Sequence, residues 1–416
     1  MACPENLYQG FRWYRDSDVV VRTGSIADIP VGVAAPENRL PIHQKLKRCL
    51  LADDGTINYF ISKIDPTQKE GGGVAHYDGS DGQVMRYTPL IYWRMINTVD
   101  YRQEDFSLYP LPGFVPYPAF YSAGDLYKNI YYAVFEGSMW DESESRIVPA
   151  ADITTNMSID AGDKLCSISG VFPKTNQSRP DFRQLAANRG EGWIPGNYNF
   201  RSLEQALHFL KYGGLNSQAN IGMGRTELSG GDWVADSYIG RTGMSVNDVA
   251  DNSVSNGGTA GFTTDYSVMN LIENFWGNVW KFMDFITVDG RWQGDFAPFP
   301  VYICDNIADM GDEDPSAMSH LCDMPYIGAN TGYISDVMDV VGYIPKTANG
   351  SSSTKFADYL WQYNESSRDY FRSVRVGATS NSLSSAGVSA LRVYASAFDA
   401  WTVIGGRFCK LGEKIL

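Results

Sequence analysis

Beyond about residue 100, only two stretches of this chain carry the signals to start, run and stop a helix. The first is Ser178 to Arg189, with Ser178 as N-cap, Pro180 in the first turn and Gly190 as the stop. The second is Leu203 to Tyr212, where Ser202 and Gln205 have capping-box spacing, Ala206, Leu207 and Leu210 line one face, and Gly213-Gly214 ends the run. Around them lie long irregular stretches full of Gly, Tyr and Trp. The expectation is an α+β fold of two helices, short antiparallel strands and extensive irregular loops.

The first part of the chain reads differently. Asp53-Asp54-Gly55, Gly71-Gly72-Gly73 and Asp78-Gly79-Ser80-Asp81-Gly82 separate short runs such as Thr56–Ile61 and Leu90–Trp93, the spacing of hairpins. Residues 1–95 are therefore expected to form a small β-rich module for attachment or assembly, and residues 96–416 a second domain. Asn349-Gly350-Ser351-Ser352-Ser353-Thr354 is the one flexible low-complexity stretch.

Charge and cysteine usage exclude several function classes. A net charge of −14 argues against a surface that tracks nucleic-acid phosphates, and the single basic cluster, Lys45-Leu46-Lys47-Arg48, reads as a solvated face. No apolar run reaches the roughly 18 residues that span a bilayer, and the start lacks the charged and apolar regions of a secretory signal, so synthesis in a cytoplasm without export is expected. Cys3, Cys49, Cys166, Cys304, Cys322 and Cys409 lie far apart with no CxxC or CxxH pair, the pattern of buried free thiols. Asp312-Glu313-Asp314 lacks the alternating oxygen ligands of a calcium loop and reads as a solvated turn. GxSxG, GxxxxGK[ST] and HExxH motifs are absent, and His208 in the second helix reads as a satisfied histidine rather than a ligand.

The last 46 residues are the most unusual. Phe371-Arg372 and Ile404-Gly405-Gly406-Arg407-Phe408-Cys409 enclose small, polar and aromatic residues with no steady period. Between Phe371 and Ala400 there is no Lys, Glu, Gln, Met or Trp. These five types make up roughly a fifth of average usage, so a gap of this length arises by chance in well under about 1% of cases. They are also the five that codons ending in a pyrimidine cannot encode, so the gap fits diversification by adenine-directed mutagenesis as well as it fits a Ser/Ala-rich loop.

Upstream, Ile272 to Asp284 holds Trp276-Gly277-Asn278-Val279-Trp280, in which the tryptophans can pack as rigid anchors and Gly277 permits close backbone approach. Its GNVW core resembles the GNVWEW signature of the formylglycine-generating-enzyme type of C-type lectin fold. Gly113–Phe120, Tyr131–Ser138, Asn188–Trp193 and Leu215–Gly222 look like successive blocks of phage structural proteins, and with the Ile404–Arg407 ending the resemblance covers roughly residues 90 to 416. The chain is similar to variable proteins of diversity-generating retroelements, above all those of phages and prophages of gut bacteria.

The resemblance implies a C-type lectin fold over residues 96–416 that displays a variable ligand-binding segment, 371–407. It implies a protein or cell-surface receptor of a bacterial host as partner, a place in the virion, and neither cofactor, metal nor enzymatic activity. Homo-oligomerisation stays open, since nothing resembles a coiled-coil stem. Combined with the codon rule, it makes Thr379, Asn381, Leu383, Ser389, Leu391, Arg392, Tyr394, Ser396, Phe398, Asp399 and Val403 the candidate variable positions, with Tyr394, Phe398 and Arg392 as the hot spots. Trp276, Gly277, Asn278, Trp280, Trp401, Gly405, Gly406 and Arg407 become scaffold. Two other readings fit the same resemblance. One is a virion decoration protein with no receptor role. The other is a metal-dependent oxidase related to the formylglycine-generating enzymes, which need two close cysteines where this chain offers only Cys409.

Overall fold

The computed structural model describes residues 5–228, 234–255, 264–291, 294, 297–327, 332–363 and 369–415. Strand dominates: 34% of the described residues are β and 12% helical, and the sheets curl into a half-barrel. This corrects the expected fold class. In place of an α+β C-type lectin fold with two helices, the described residues form four helices and seven sheets. The Gly-punctuated stretches that read as irregular loops carry enough aromatic and β-branched residues to pair as short strands.

The helices are α1 (Pro41–Lys45), α2 (Arg179–Ala187), α3 (Tyr198–Tyr212) and α4 (Ser217–Ile221). In α2, Ser178 and Asp181 form the capping box around Pro180 at the first turn. α3 starts five residues earlier than Leu203, because Asn197 caps it by accepting the Phe200 N–H at 3.0 Å. Ser202 and Gln205 are consequently interior: the Ser202 hydroxyl donates to the Asn199 carbonyl at 2.8 Å instead of capping. Gly213, at φ +61°, ends the helix.

The six-stranded sheet runs in the order Trp193–Pro195, Phe408–Leu411, Asn129–Ala133, Gln83–Pro89, Lys47–Leu51, Ile57–Phe60, so early strands share a sheet with the chain's end. In the five-stranded sheet, Tyr92–Asn97 pairs with Tyr101–Ser107, which places residue 95 inside a strand. One hydrophobic core takes in residues from Phe11 to Leu411. Arg48 belongs to this interior and not to a solvated face: it is buried and donates to the carbonyls of Leu271 at 3.0 Å and Ser245 at 2.8 Å. Among the described residues, no helix is long and apolar enough to cross a membrane.

The eight-stranded sheet runs Ser319–Met324, Phe299–Ile303, Trp280–Asp289, Phe371–Val376, Leu391–Ala395, Tyr359–Trp361, Gly332–Tyr333, with Ile404–Gly405 pairing onto Trp280–Asp289. Its central strand, Trp280–Asp289, is buried along all ten residues. The preceding Trp-Gly-Asn-Val-Trp block anchors it. Trp276 is fully buried, and Asn278, at φ +59°, accepts the Gly240 N–H at 2.8 Å and donates to the Glu136 carboxylate. Gly277 has φ +79°, and a Cβ there would lie 2.5 Å from the Arg225 carbonyl oxygen, so only glycine fits. Arg407 is buried and donates to the carbonyls of Ala133, Val134, Glu273 and Asn274, tying two chain segments together. Gly405 and Gly406 are buried as well; a Cβ on Gly406 would meet the Phe182 ring at 2.8 Å.

Candidate ligand-binding face

Strand alternation decides which side chains of the C-terminal segment reach the surface. In Leu391–Ala395, Leu391, Val393 and Ala395 are buried, while Arg392 and Tyr394 point outward. The neighbouring strand Tyr359–Trp361 pairs in parallel with it, Trp361 facing Arg392, and buries only Leu360. Tyr333 stands opposite Tyr359 on the edge strand. Tyr333, Tyr359, Trp361, Arg392 and Tyr394 thus form one outer face.

The rings touch in sequence. Tyr333 meets Tyr359 edge-on at 5.1 Å between centroids, Tyr359 meets Trp361 at 4.8 Å, and Trp361 packs edge-on against Trp280 at 5.0 Å. At the other end Tyr363 meets Tyr394 edge-on at 4.7 Å. The Arg392 guanidinium joins the two groups, its carbon lying 4.2 Å from the Tyr394 centroid, 4.7 Å from Trp401 and 5.6 Å from Trp280. Such cation–π contacts hold a planar cation in place.

Beside Arg392 on the same side of the sheet, as its cross-strand partner, Arg375 is wholly buried and held between the rings of Phe282 at 4.9 Å and Trp401 at 4.8 Å. One of its N–H groups donates to the carbonyls of Ser396 at 3.3 Å and Asp399 at 3.1 Å. Burial, and next the charge of Arg392, bring its guanidinium down to about 9. Trp401, assigned to the scaffold from sequence, is 36% exposed and covers these two arginines, so it belongs to the surface of the face as well as to its support.

The eleven candidate positions fall into three groups. Asn381, Leu383 and Phe398 are exposed, and Arg392, Tyr394, Ser396, Asp399 and Val403 are half-buried. Thr379, Ser389 and Leu391 are buried. Thr379 closes a turn, its hydroxyl donating to Asn381 at 2.9 Å and its N–H to the Ser382 hydroxyl at 3.0 Å. Ser389 is fastened through its N–H to Asp358 at 2.6 Å, and Leu391 fills the core. Val403 acts through its backbone, accepting the Trp280 N–H at 2.9 Å.

Phe398 stands 56% exposed at the tip of a turn whose base is fixed twice. Asp399 accepts the Ser396 N–H at 3.0 Å, and Glu313 accepts the Ala397 N–H at 3.0 Å together with the Ser396 hydroxyl. Glu313 is therefore not part of a merely solvated acidic turn. Asp312 reaches Arg183 at 3.1 Å, and Asp314 accepts the Ser316 N–H at 2.9 Å.

Sequence reasoning missed Tyr333, Tyr359, Trp361, Tyr363 and Glu313. The first of these lies apart in the chain, but Tyr359-Leu360-Trp361-Gln362-Tyr363 has the period-2 aromatic spacing of a half-buried strand, a signal that was there to be used. Cys409 is buried, and burial pushes its thiol well above the ordinary range. Cys49, Cys166, Cys304 and Cys322 are also free thiols, and Cys3 lies outside the described residues. Burial likewise brings His208 down to about 3, with Asn220 at 3.1 Å from its ring nitrogen. Among the described residues, no group of three or more His, Cys, Asp or Glu is placed to hold a metal ion.

No protein-family model and no curated protein matches this chain.

Proposed function

We propose that this chain is a ligand-binding protein whose outer face on the eight-stranded sheet carries side chains changed by retroelement mutagenesis, as in a receptor-binding adhesin of a phage particle. The observation that carries the reading is the alternation of the Leu391–Ala395 strand, which turns Arg392 and Tyr394 outward while Leu391, Val393 and Ala395 stay in the core. Side chains on such a face can be exchanged at little cost in stability, since exposed substitutions usually change it by less than about 0.5 kcal/mol. Tyr, Trp and Arg are the types that contribute most to protein interfaces, and they are what this face presents. The partner that fits is a protein or cell-surface receptor of a bacterial host.

Sequencing the gene across a propagated population tests the reading. Substitutions are expected to cluster at Asn381, Arg392, Tyr394 and Phe398, and to spare Val393 and Arg407. Changes spread evenly along the chain, or absent between Phe371 and Arg407, would sink it.

A further inference from the structure

Away from the aromatic face, and sharing no residue with it, the molecule holds a cavity of about 550 Å³. That is within the roughly 300–1,000 Å³ range of small-ligand sites. One wall comes from a three-stranded sheet in which Trp140 stands opposite Ile147 on one side and Lys164 on the other. Cross-strand partners project to the same face of a sheet, so indole, sec-butyl group and lysine stem form one largely apolar surface. The Trp140 indole N–H already donates to Glu142 at 2.9 Å, so its one polar group is used.

The lining also takes in the turn Asp78-Gly79-Ser80-Asp81-Gly82. It is rigid: one oxygen of Asp78 accepts both the N–H of Ser80 at 3.0 Å and its hydroxyl at 2.7 Å, and one oxygen of Asp81 accepts the Tyr59 hydroxyl at 2.8 Å. Those bonds, led for Asp78 by the Ser80 hydroxyl and for Asp81 by Tyr59, hold both carboxyls below the usual range, so both are acceptors at neutral pH. The second oxygen of each carboxylate takes no part in these bonds. Asp53, also in the lining, sits between Lys164 at 3.3 Å and Arg189, whose guanidinium also contacts the Cys166 sulfur at 3.1 Å.

We propose that this cavity is a saccharide site that takes a neutral pyranose ring, the C–H face of the sugar lying on Trp140 and its hydroxyls donating to Asp78 and Asp81. The charge pattern favours this class. Lys164 and Arg189 are both paired with Asp53, and Asp81 with Lys69 at 3.4 Å, so little unpaired charge faces the cavity, while hydroxyl donors satisfy the second carboxylate oxygens of Asp78 and Asp81 without adding charge. The apolar wall in turn disfavours a ligand polar on every side. Because none of these residues lies between Phe371 and Arg407, the site stays constant whatever happens to the variable segment, and its occupancy does not depend on the receptor reading.

Saturation-transfer NMR on the full chain tests the proposal, with the methyl glycosides of glucose, galactose, mannose and N-acetylglucosamine as probes and glucosamine and glucuronic acid as charged counterparts. The expected result is transfer to at least one neutral glycoside, weakened at least tenfold in Trp140→Ala and in Asp81→Asn and unchanged in Arg392→Ala. Circular dichroism shows whether each variant is folded, and if Trp140→Ala is not, Trp140→Phe with Asp81→Asn decides. No transfer to any neutral glycoside, transfer only to a charged one, or transfer that survives both Asp81→Asn and the Trp140 change overturns the site.

Discussion

Trp361 and Arg392 stand opposite each other across a parallel pair of strands, and both pack against Trp280 on the same side of the sheet, the indole edge-on at 5.0 Å and the guanidinium carbon 5.6 Å from its ring. The buried tryptophan of the Trp-Gly-Asn-Val-Trp block is thus the common contact of two half-buried side chains from separate strands. Along Leu391–Ala395, scaffold and display are separated by strand alternation alone.

That separation gives a first expectation. Arg392→Ala and Tyr394→Ala remove outward groups held by ring contacts and should each cost less than about 1 kcal/mol. Leu391→Ala, one residue along the same strand, empties part of the core and should cost about 2–5 kcal/mol. Urea titration of the three variants measures the contrast, and equal losses at positions 391 and 392 would contradict the placement of the strand.

Glu136 and Lys281 form a second test. They are paired at 2.8 Å with both side chains essentially inaccessible, and the lysine also donates to the Gly277 carbonyl at 2.6 Å. Glu136→Gln leaves the ammonium without its counter-charge inside the protein, which typically costs about 3–5 kcal/mol. The double change Glu136→Gln with Lys281→Met should recover part of that loss, and a calorimetric melt of the single and double variants reads it directly.

Asp358 provides a pH dependence. It is buried, and burial raises its carboxyl well above the usual carboxylate range, against the opposing Ser389 N–H and the Arg201 charge. One of its oxygens accepts that N–H at 2.6 Å; the other has no hydrogen-bond partner among the described residues. A carboxyl raised on folding contributes stability that is fully present below its unfolded value near 3.9 and lost as pH rises through the folded value. Asp358→Asn keeps an acceptor for Ser389 and carries no charge, so its advantage over the parent should grow with pH from about 4 upward, by about 1.4 kcal/mol for each unit of raised pKa traversed. Parallel unfolding profiles for the two proteins between pH 4 and 8 would refute this.

How far the chain could be read without coordinates follows from which signals are local. The cap of α2 and the glycine end of α3 were legible because each is set by a few adjacent residues. The fold class was not, because pairing such as Tyr131 with Lys410 joins residues hundreds of positions apart, and nothing near Tyr131 encodes that partner. The same holds for the site. Arg392, Tyr394 and Phe398 lay in a segment marked by composition, whereas Tyr333, Tyr359 and Trp361 enter only because their strands add to the edge of that sheet. Thr379, Ser389 and Leu391 met the codon rule yet are buried, since a rule about codons says nothing of which way a strand residue points.

Glu313 sets the last expectation, because it holds the Phe398 turn from outside the variable segment. Its carboxylate accepts the Ala397 N–H at 3.0 Å and the Ser396 hydroxyl, and the Ser396 hydroxyl oxygen in turn accepts the Phe398 N–H at 3.0 Å. Hydrogen bonds to a charged acceptor contribute about 1.5–3 kcal/mol, so Glu313→Ala should free the turn and speed amide exchange at Ala397 by roughly 10- to 100-fold. Global stability should change far less, since Asp399 still holds the Ser396 N–H and Arg375 still donates to the carbonyls of Ser396 and Asp399. Glu313→Gln retains an acceptor oxygen and should recover most of the protection. Hydrogen exchange followed at Ala397 and Phe398 in the two variants distinguishes a turn anchored by Glu313 from one that stands by itself, for which exchange would be the same in all three proteins.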